Sequence, residues 1–300
     1  QWARRLDQAG ANVIYGVVGF KTHSKALLVV RREPDGIRRY CHLSTGNYND
    51  KTARLYTDLA LFTANPDFGA DLSAFFNVIT GYSLPPAWRR VTVAPFGLRE
   101  KVVSLIEREI EKHSPETPGC IRAKMNALTD PVIIAALYKA SCAGVRIELL
   151  VRGLCRLRPG IAGLSDNIRV LSVIDRLLEH PRIAHFRNGG HDEVYLASAD
   201  WMERNLDDRV ELFFPILSER AVQTALRALE WGLSDTVKAW ELQSDGSYWR
   251  VEPSADGVPM RSQEALYRHA VATCREASEA AKPAEQQLLT PKSAPGDLPT

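Results

Sequence analysis

No long apolar run, no cysteine frame and no field of a single charge is present in this 300-residue chain. Its hydrophobic stretches fall well short of the roughly 20 residues that a membrane-spanning helix needs, and the first residues do not read as a secretory leader. The five cysteines, Cys41, Cys120, Cys142, Cys155 and Cys274, are odd in number, scattered and without a C-x-x-C pair. That excludes a disulfide framework and a cysteine-built zinc site, and it points to a reducing compartment. Lys and Arg total 38 against 36 Asp and Glu, so no global field draws nucleic acid or anionic lipid, and a polyanion must be bound by local clustering. The rest is ordinary soluble composition, 45% hydrophobic and 25% charged, at a length that suits two domains.

The first ten residues lack an initiator Met and read as the last turns of an amphipathic helix capped by Gly10. A β-branched run at 12–18 follows, so a helix feeds a strand as in the second half of a βαβ unit whose first strand is missing. On that reading the chain is a C-terminal fragment. Strands are expected at 26–32 and 38–43, helices at 67–81, 98–113 and 219–240, and a buried strand at 145–151. Asp130-Pro131 is a helix start, with Asp as N-cap and Pro in the first turn, and that helix ends before Gly144. Two prolines in Ser83-Leu-Pro-Pro forbid helix and mark a crossing between units. From Glu276 onward few large apolar residues remain, which predicts a disordered tail. The sum is an α/β fold with a mixed sheet, divided at 1–88, 89–275 and 276–300.

Two histidines carry the chemistry. His23, in Lys21-Thr22-His23-Ser24-Lys25, is followed 24 residues later by Asn47 at the end of Ser44-Thr45-Gly46-Asn47. His180, in Glu179-His180-Pro181-Arg182, is followed 25 residues later by Asn205. A lone histidine beside a strand is usually a structural hydrogen-bonder. A matched pair with basic neighbours reads instead as a duplicated half-site that brings two imidazoles to one phosphate. Neutral imidazole attacks phosphorus well, and nearby cations (Lys21, Lys25, Arg152, Arg182 or Arg187) disfavour the imidazolium and bind phosphate oxygens. Arg152 closes a buried strand at the edge where α/β sheets bind ligands. Tyr56 is a core tyrosine or a base-stacking one. His180, His185 and His191 match no metal spacing, and as a group they read as solvated loop histidines in preference to a metal site. Trp201 reads as core.

The segments Gly19–Lys25, Leu43–Asn49, Lys51–Asp58, Lys124–Leu128, Leu150–Cys155, Arg158–Gly160, Ser165–Val170, Leu178–Arg182, Asn188–Gly190 and Ser198–Met202 closely resemble the polyphosphate kinase 1 family. The resemblance covers about residues 1–270. It implies two phospholipase D-like α/β domains related by a pseudo-two-fold axis, the first incomplete at its N-terminus. It also implies reversible transfer of the terminal phosphate of ATP to inorganic polyphosphate through a phosphohistidine. By motif position His23 is the nucleophile and His180 the second catalytic histidine. Tyr56, Arg152 and His180 contact ATP or ADP, and Lys21, Lys25, Asp58 and Arg182 support phosphate. Mg²⁺ is expected, with its ligands outside this chain, as are a homo-oligomer, a cytoplasmic location with at most peripheral membrane association, and no nucleic-acid partner. On this reading the chain alone is weakly active or inactive. A phospholipase D-like phosphodiesterase is the competing class. The Asp its half-site carries five residues after the Lys is replaced here by Val30 and Arg187. A nucleotide- or polyphosphate-binding module without activity is the third.

Overall fold

Asp130 and Pro131 start a helix as expected: the Asp130 carboxylate accepts from the backbone N–H groups of Val132 and Ile133. Asn65 and Pro66 do the same earlier in the chain. In the computed structural model, which describes residues 2–17, 19–81 and 87–288 and side chains to 279, these caps punctuate a mixed α/β chain. Its first part runs α1 (Trp2–Gln8), β1 (Lys21–Thr22), β2 (Ala26–Glu33), β3 (Gly36–Ser44), β4 (Tyr56–Thr57), β5 (Ala60–Thr63) and α2 (Pro66–Ile79). The second begins with β6 (Thr92–Ala94), α3 (Leu98–Glu111), β7 (Cys120–Met125), α4 (Pro131–Cys142), β8 (Arg146–Val151) and β9 (Ile168–Val173). It continues with β10 (Leu178–Glu179), β11 (Arg182–Phe186), β12 (Glu193–Ala197), α5 (Glu203–Asp207) and β13 (Arg209–Pro215). It closes with α6 (Glu219–Leu233), β14 (Ala239–Leu242), β15 (Tyr248–Arg250) and α7 (Ser262–Leu288).

The large sheet has the order β1-β13-β12-β11-β7-β8-β9-β14-β15, with β6 also on β13. Strands β7, β8 and β9 are parallel, and β11, β12 and β13 form an antiparallel meander. A smaller sheet, β2-β3-β5, repeats that meander after the first histidine. Alternate side chains feed two cores. One face packs Leu149 and Val170 under α3 and α4. The other packs Leu150, Val210 and Leu212 against Leu226 and Leu229 of α6 and against Phe68, Leu72 and Phe75 of α2. The first part of the chain thus shares a core with the second, and the strand ends between them are held on a rigid floor.

Several expectations need correction. Residues 11–16 form no strand; Ile14 and Tyr15 are exposed, and apolar character alone supplies no ladder partner. The helix expected at 219–240 stops at Leu233, and Ala239–Leu242 instead joins the sheet edge beside β9. The tail expected from Glu276 is helical as far as Leu288, because α7 continues through it; residues 289–300, like the crossing at 82–86, lie outside the described residues. His185 is no loop residue: it is buried in β11, with its Nε2 2.7 Å from Asp192 Oδ1. His191 is exposed, as expected.

Candidate active site

Two short parallel pairings join the parts of the chain, and each aligns one histidine with one carboxylate. Lys21 and Thr22 of β1 register with Arg209 and Val210 of β13, and the next step along both strands is His23 beside Glu211. Tyr56 and Thr57 of β4 register with Leu178 and Glu179 of β10, and the next step is Asp58 beside His180. The side chains meet there. His23 Nδ1 lies 2.8 and 2.9 Å from the two Glu211 oxygens, and His180 Nδ1 lies 2.8 Å from Asp58 Oδ1. Each histidine is therefore braced by the other half of the chain.

Both carboxylates are cradled by the small-residue loops. Glu211, wholly buried, also accepts from Ser198 Oγ at 2.5 Å and Asn205 Nδ2 at 3.0 Å. Asp58 accepts from Thr45 Oγ1 at 2.7 Å. The two loops are not equivalent, since Asn205 is buried on its carboxylate whereas Asn47 is exposed. Gly46 stands so close to Asp58 that a Cβ there would lie 2.2 Å from Oδ2. Gly46→Ala is expected to push Asp58 off His180 and to cost about 1–3 kcal/mol of stability, as overpacking does. Because the Asp58 bond is what raises the His180 pKa, NMR titration of His180 in this variant should move to lower pH; an unmoved titration would refute the bracing role.

Between the two pairs sits Lys25. Its Nζ is buried without a hydrogen-bond partner among the described residues, and it feels Glu211, Arg182, Asp58 and Arg209. Burial, only partly offset by Glu211, pushes its pKa down to about 8. Burial likewise lowers the His180 pKa, with Asp58 opposing and Arg182 adding to the fall, so that imidazole is neutral near pH 7. The Tyr56 ring lies against it, centroids 4.9 Å apart. Arg182 is taken up by Asp200, with two contacts of 3.1 Å, and by the His180 carbonyl at 2.5 Å. It braces the loop that holds His180. Arg152 donates Nε to the Glu179 carbonyl at 2.7 Å, and its field reaches Tyr56 and Arg182.

The structure thus brings together His23, Lys25, Tyr56, Asp58, Arg152, His180 and Arg182. It leaves Lys21 exposed on β1 and puts Arg187 at the far end of β11. Sequence reading missed Glu211, Arg209 (3.9 Å from Glu211) and the buried Lys124–Glu179 pair. A signal for Glu211 existed: a lone acid in the apolar run Val210-Glu211-Leu212-Phe213-Phe214 must be buried and must find partners. A cleft of about 510 Å³ opens at the opposite ends of β7–β9, and its arginines are engaged in ion pairs: Arg122 and Arg146 with Glu148, Arg169 with Glu241.

The sequence matches two family models, Polyphosphate kinase C-terminal domain 1 over residues 1–85 and Polyphosphate kinase C-terminal domain 2 over residues 91–263. A polyphosphate kinase of Prosthecochloris aestuarii is 52% identical over 87% of this chain and 37% of its own length. One of Pseudomonas aeruginosa is 52% identical over 89% of this chain and 39% of its own. The crystal structure of polyphosphate kinase from Porphyromonas gingivalis superimposes with a TM-score of 0.85 at 39% identity, covering 90% of this chain and 42% of that one. The chain spans well under half the length of these relatives.

Proposed function

Because this chain belongs to the polyphosphate kinase family, we propose that its two braced histidines form the phosphoryl-transfer centre that moves the terminal phosphate of ATP reversibly onto inorganic polyphosphate. The observation that carries this reading is the Nδ1–carboxylate pairing of both rings around a buried lysine whose Nζ has no hydrogen-bond partner among the described residues. A carboxylate at Nδ1 holds the proton there and leaves the lone pair on Nε2, the nucleophilic tautomer.

In the forward half-reaction His23 Nε2 attacks the γ-phosphorus. An N–P bond forms, the bond between phosphorus and the β,γ-bridging oxygen breaks, and ADP leaves with that oxygen. Glu211 stabilises the imidazolium that develops on His23. Lys25 faces the charge on the phosphoryl oxygens, where a desolvated cation acts most strongly. Arg152 and Tyr56 hold the nucleotide, and His180, once it binds a second proton on Nε2 as the anionic phosphates arrive, meets the leaving oxygen as acid. The second half-reaction runs the same path with a terminal oxygen of polyphosphate as acceptor. The accompanying Mg²⁺ would supply charge neutralisation on the nucleotide. Among the described residues no group of three or more His, Cys, Asp or Glu is arranged to hold a metal ion, and Asp58 and Glu211 are engaged with the histidines.

Incubation with γ-labelled ATP and Mg²⁺ tests the proposal on the chain joined to the remaining length its relatives have: that protein should acquire acid-labile, base-stable phosphate, and the chain alone little or none. Label on the longer protein that is acid-stable, or none there, would overturn it. The pH dependence has a definite sign. Transfer should fall as pH rises through about 8, where Lys25 loses its proton. Stability moves the other way. The unfolded chain keeps that proton up to the ordinary lysine value of 10.5, so between about 8 and 10.5 the unfolded state binds more protons and stability rises with pH. In Lys25→Arg the alkaline limb of the rate should shift upward, since guanidinium stays charged; an unchanged limb would assign it elsewhere.

A further inference from the structure

His180 and Arg152 share one support, Glu179. Its carbonyl accepts from Arg152 Nε at 2.7 Å, and His180 follows it directly in the chain. Glu179 lies in β10, which forms with β4 a two-stranded sheet of two residues each, apart from the large sheet. A pair that short is not stable by itself in water. Leu178 N–H bonds Leu55 on the β4 side at 2.8 Å, so the polar groups of Leu177 point the other way. There the place of a neighbouring strand is taken by one side chain, Gln263, in the first turn of α7. Gln263 Oε1 accepts from the Leu177 N–H at 3.0 Å, and Nε2 donates to the Leu177 carbonyl at 2.8 Å. Those are the two bonds that paired residues of antiparallel strands exchange.

The same Nε2 donates to Glu179 Oε1 at 2.5 Å, and Lys124 Nζ holds Glu179 Oε2. Glu179 and Lys124 are both buried, and a buried carboxylate keeps one position when each of its oxygens has its own donor. Gln263 is itself fixed. Ser262, just before it, gives its N–H and its hydroxyl to Oδ2 of the buried Asp235, each at 2.7 Å. Arg261 pairs with Asp175 through contacts of 2.6 and 2.9 Å. We propose that Gln263 is a positioning residue for phosphoryl transfer. By fixing the Leu177 backbone and the Glu179 carboxylate, it sets the His180 ring against Asp58 and the Arg152 guanidinium on the Glu179 carbonyl. It touches no reacting atom. The proposal rests on the transfer reading of His180 and Arg152 above and adds a support that lies outside both histidine motifs.

The test compares wild type with Gln263→Ala and with Gln263→Glu. The second variant keeps the side-chain shape and the acceptor for Leu177, but turns a carboxylate in place of the donor toward Glu179, so the test stands even where Gln263→Ala fails to fold. In this chain, proton NMR reads the Nδ1–H of His180 that Asp58 accepts. Wild type should hold that proton downfield, and both variants should move it upfield. In the chain joined to the remaining length its relatives have, kcat at saturating ATP should fall roughly 10- to 100-fold, the scale on which a displacement of about 1 Å slows a reaction. Rates are read below the melting transition of each variant. A merely structural staple predicts a lower melting temperature with the His180 proton and kcat unchanged. Either of the two unchanged overturns the proposal, as does a wild type without the downfield proton. A longer wild-type protein that transfers no phosphate refutes the transfer reading, and a His180 proton moved by both variants then still establishes Gln263 as the group that positions the ring. Variants that transfer at the wild-type rate do the reverse.

Discussion

His23→Ala should abolish covalent labelling by ATP, a fall of roughly 10⁴-fold or more, because no second group can take over a bond to phosphorus. His23 is 22% exposed on its side chain, and among the described residues its side-chain hydrogen bonds are the two from Nδ1 to Glu211, which leaves Nε2 free. Truncation there opens no core cavity, and the melting temperature should stay within a few degrees of wild type. His180 serves as the internal control. It is buried, it is braced by Asp58, and burial lowers its pKa. His180→Ala should slow labelling without eliminating it, by the 10²- to 10⁴-fold typical of a lost acid or base. Mass spectrometry of phosphopeptides under alkaline conditions checks both. Full labelling of His23→Ala with phosphate on His180 would exchange the two roles.

The second large effect is expected at Glu211, which makes no contact with solvent. Three donors converge on its two oxygens: His23 Nδ1, Ser198 Oγ and Asn205 Nδ2. Glu211→Gln keeps the shape but offers one acceptor oxygen and a donor NH₂. One of the three donors is then left unmet, and an NH₂ facing His23 favours the tautomer with its proton on Nε2. A comparable change behind a catalytic histidine in a serine protease costs about 10⁴ in rate through the wrong tautomer. We expect labelling to drop by roughly 10²- to 10⁴-fold. A purely structural role predicts lost stability with the labelling of the folded protein unchanged. Glu211→Ala is the harsher variant: it leaves buried donors unsatisfied and should cost about 3–5 kcal/mol of stability.

Much of the frame was legible before any coordinates. Asp130-Pro131 starts α4 and a regular apolar stripe carries α3, because caps and helical periodicity are local properties. The runs at 26–32 and 145–151 became β2 and β8 because β-branched stretches bounded by turn residues have few alternatives. Where partners were required, reading failed. Residues 12–16 of an equally apolar run pair with no strand among the described residues, whereas Ala239–Leu242, whose first two residues the sequence placed at the end of a helix, found the free edge of β9. His185 looked solvated because its strand, β11, is built between β7 and β12, and neither neighbour is visible in its own sequence.

The same division runs through the site. The sequence by itself determined the two histidines, their basic neighbours and the small-residue loops, since these are contiguous motifs whose chemistry does not depend on what lies opposite. Only the tertiary structure decided which acid stands behind which ring. Glu211 is 188 residues from His23, and Asp58 is 122 from His180. Each pair is set by one more step in a parallel register that crosses from one half of the chain to the other. A parallel pairing has no turn to announce it. Burial then made Lys25 a cation on the verge of neutrality and His180 a neutral base, because desolvation is a property of the assembled core and not of any segment.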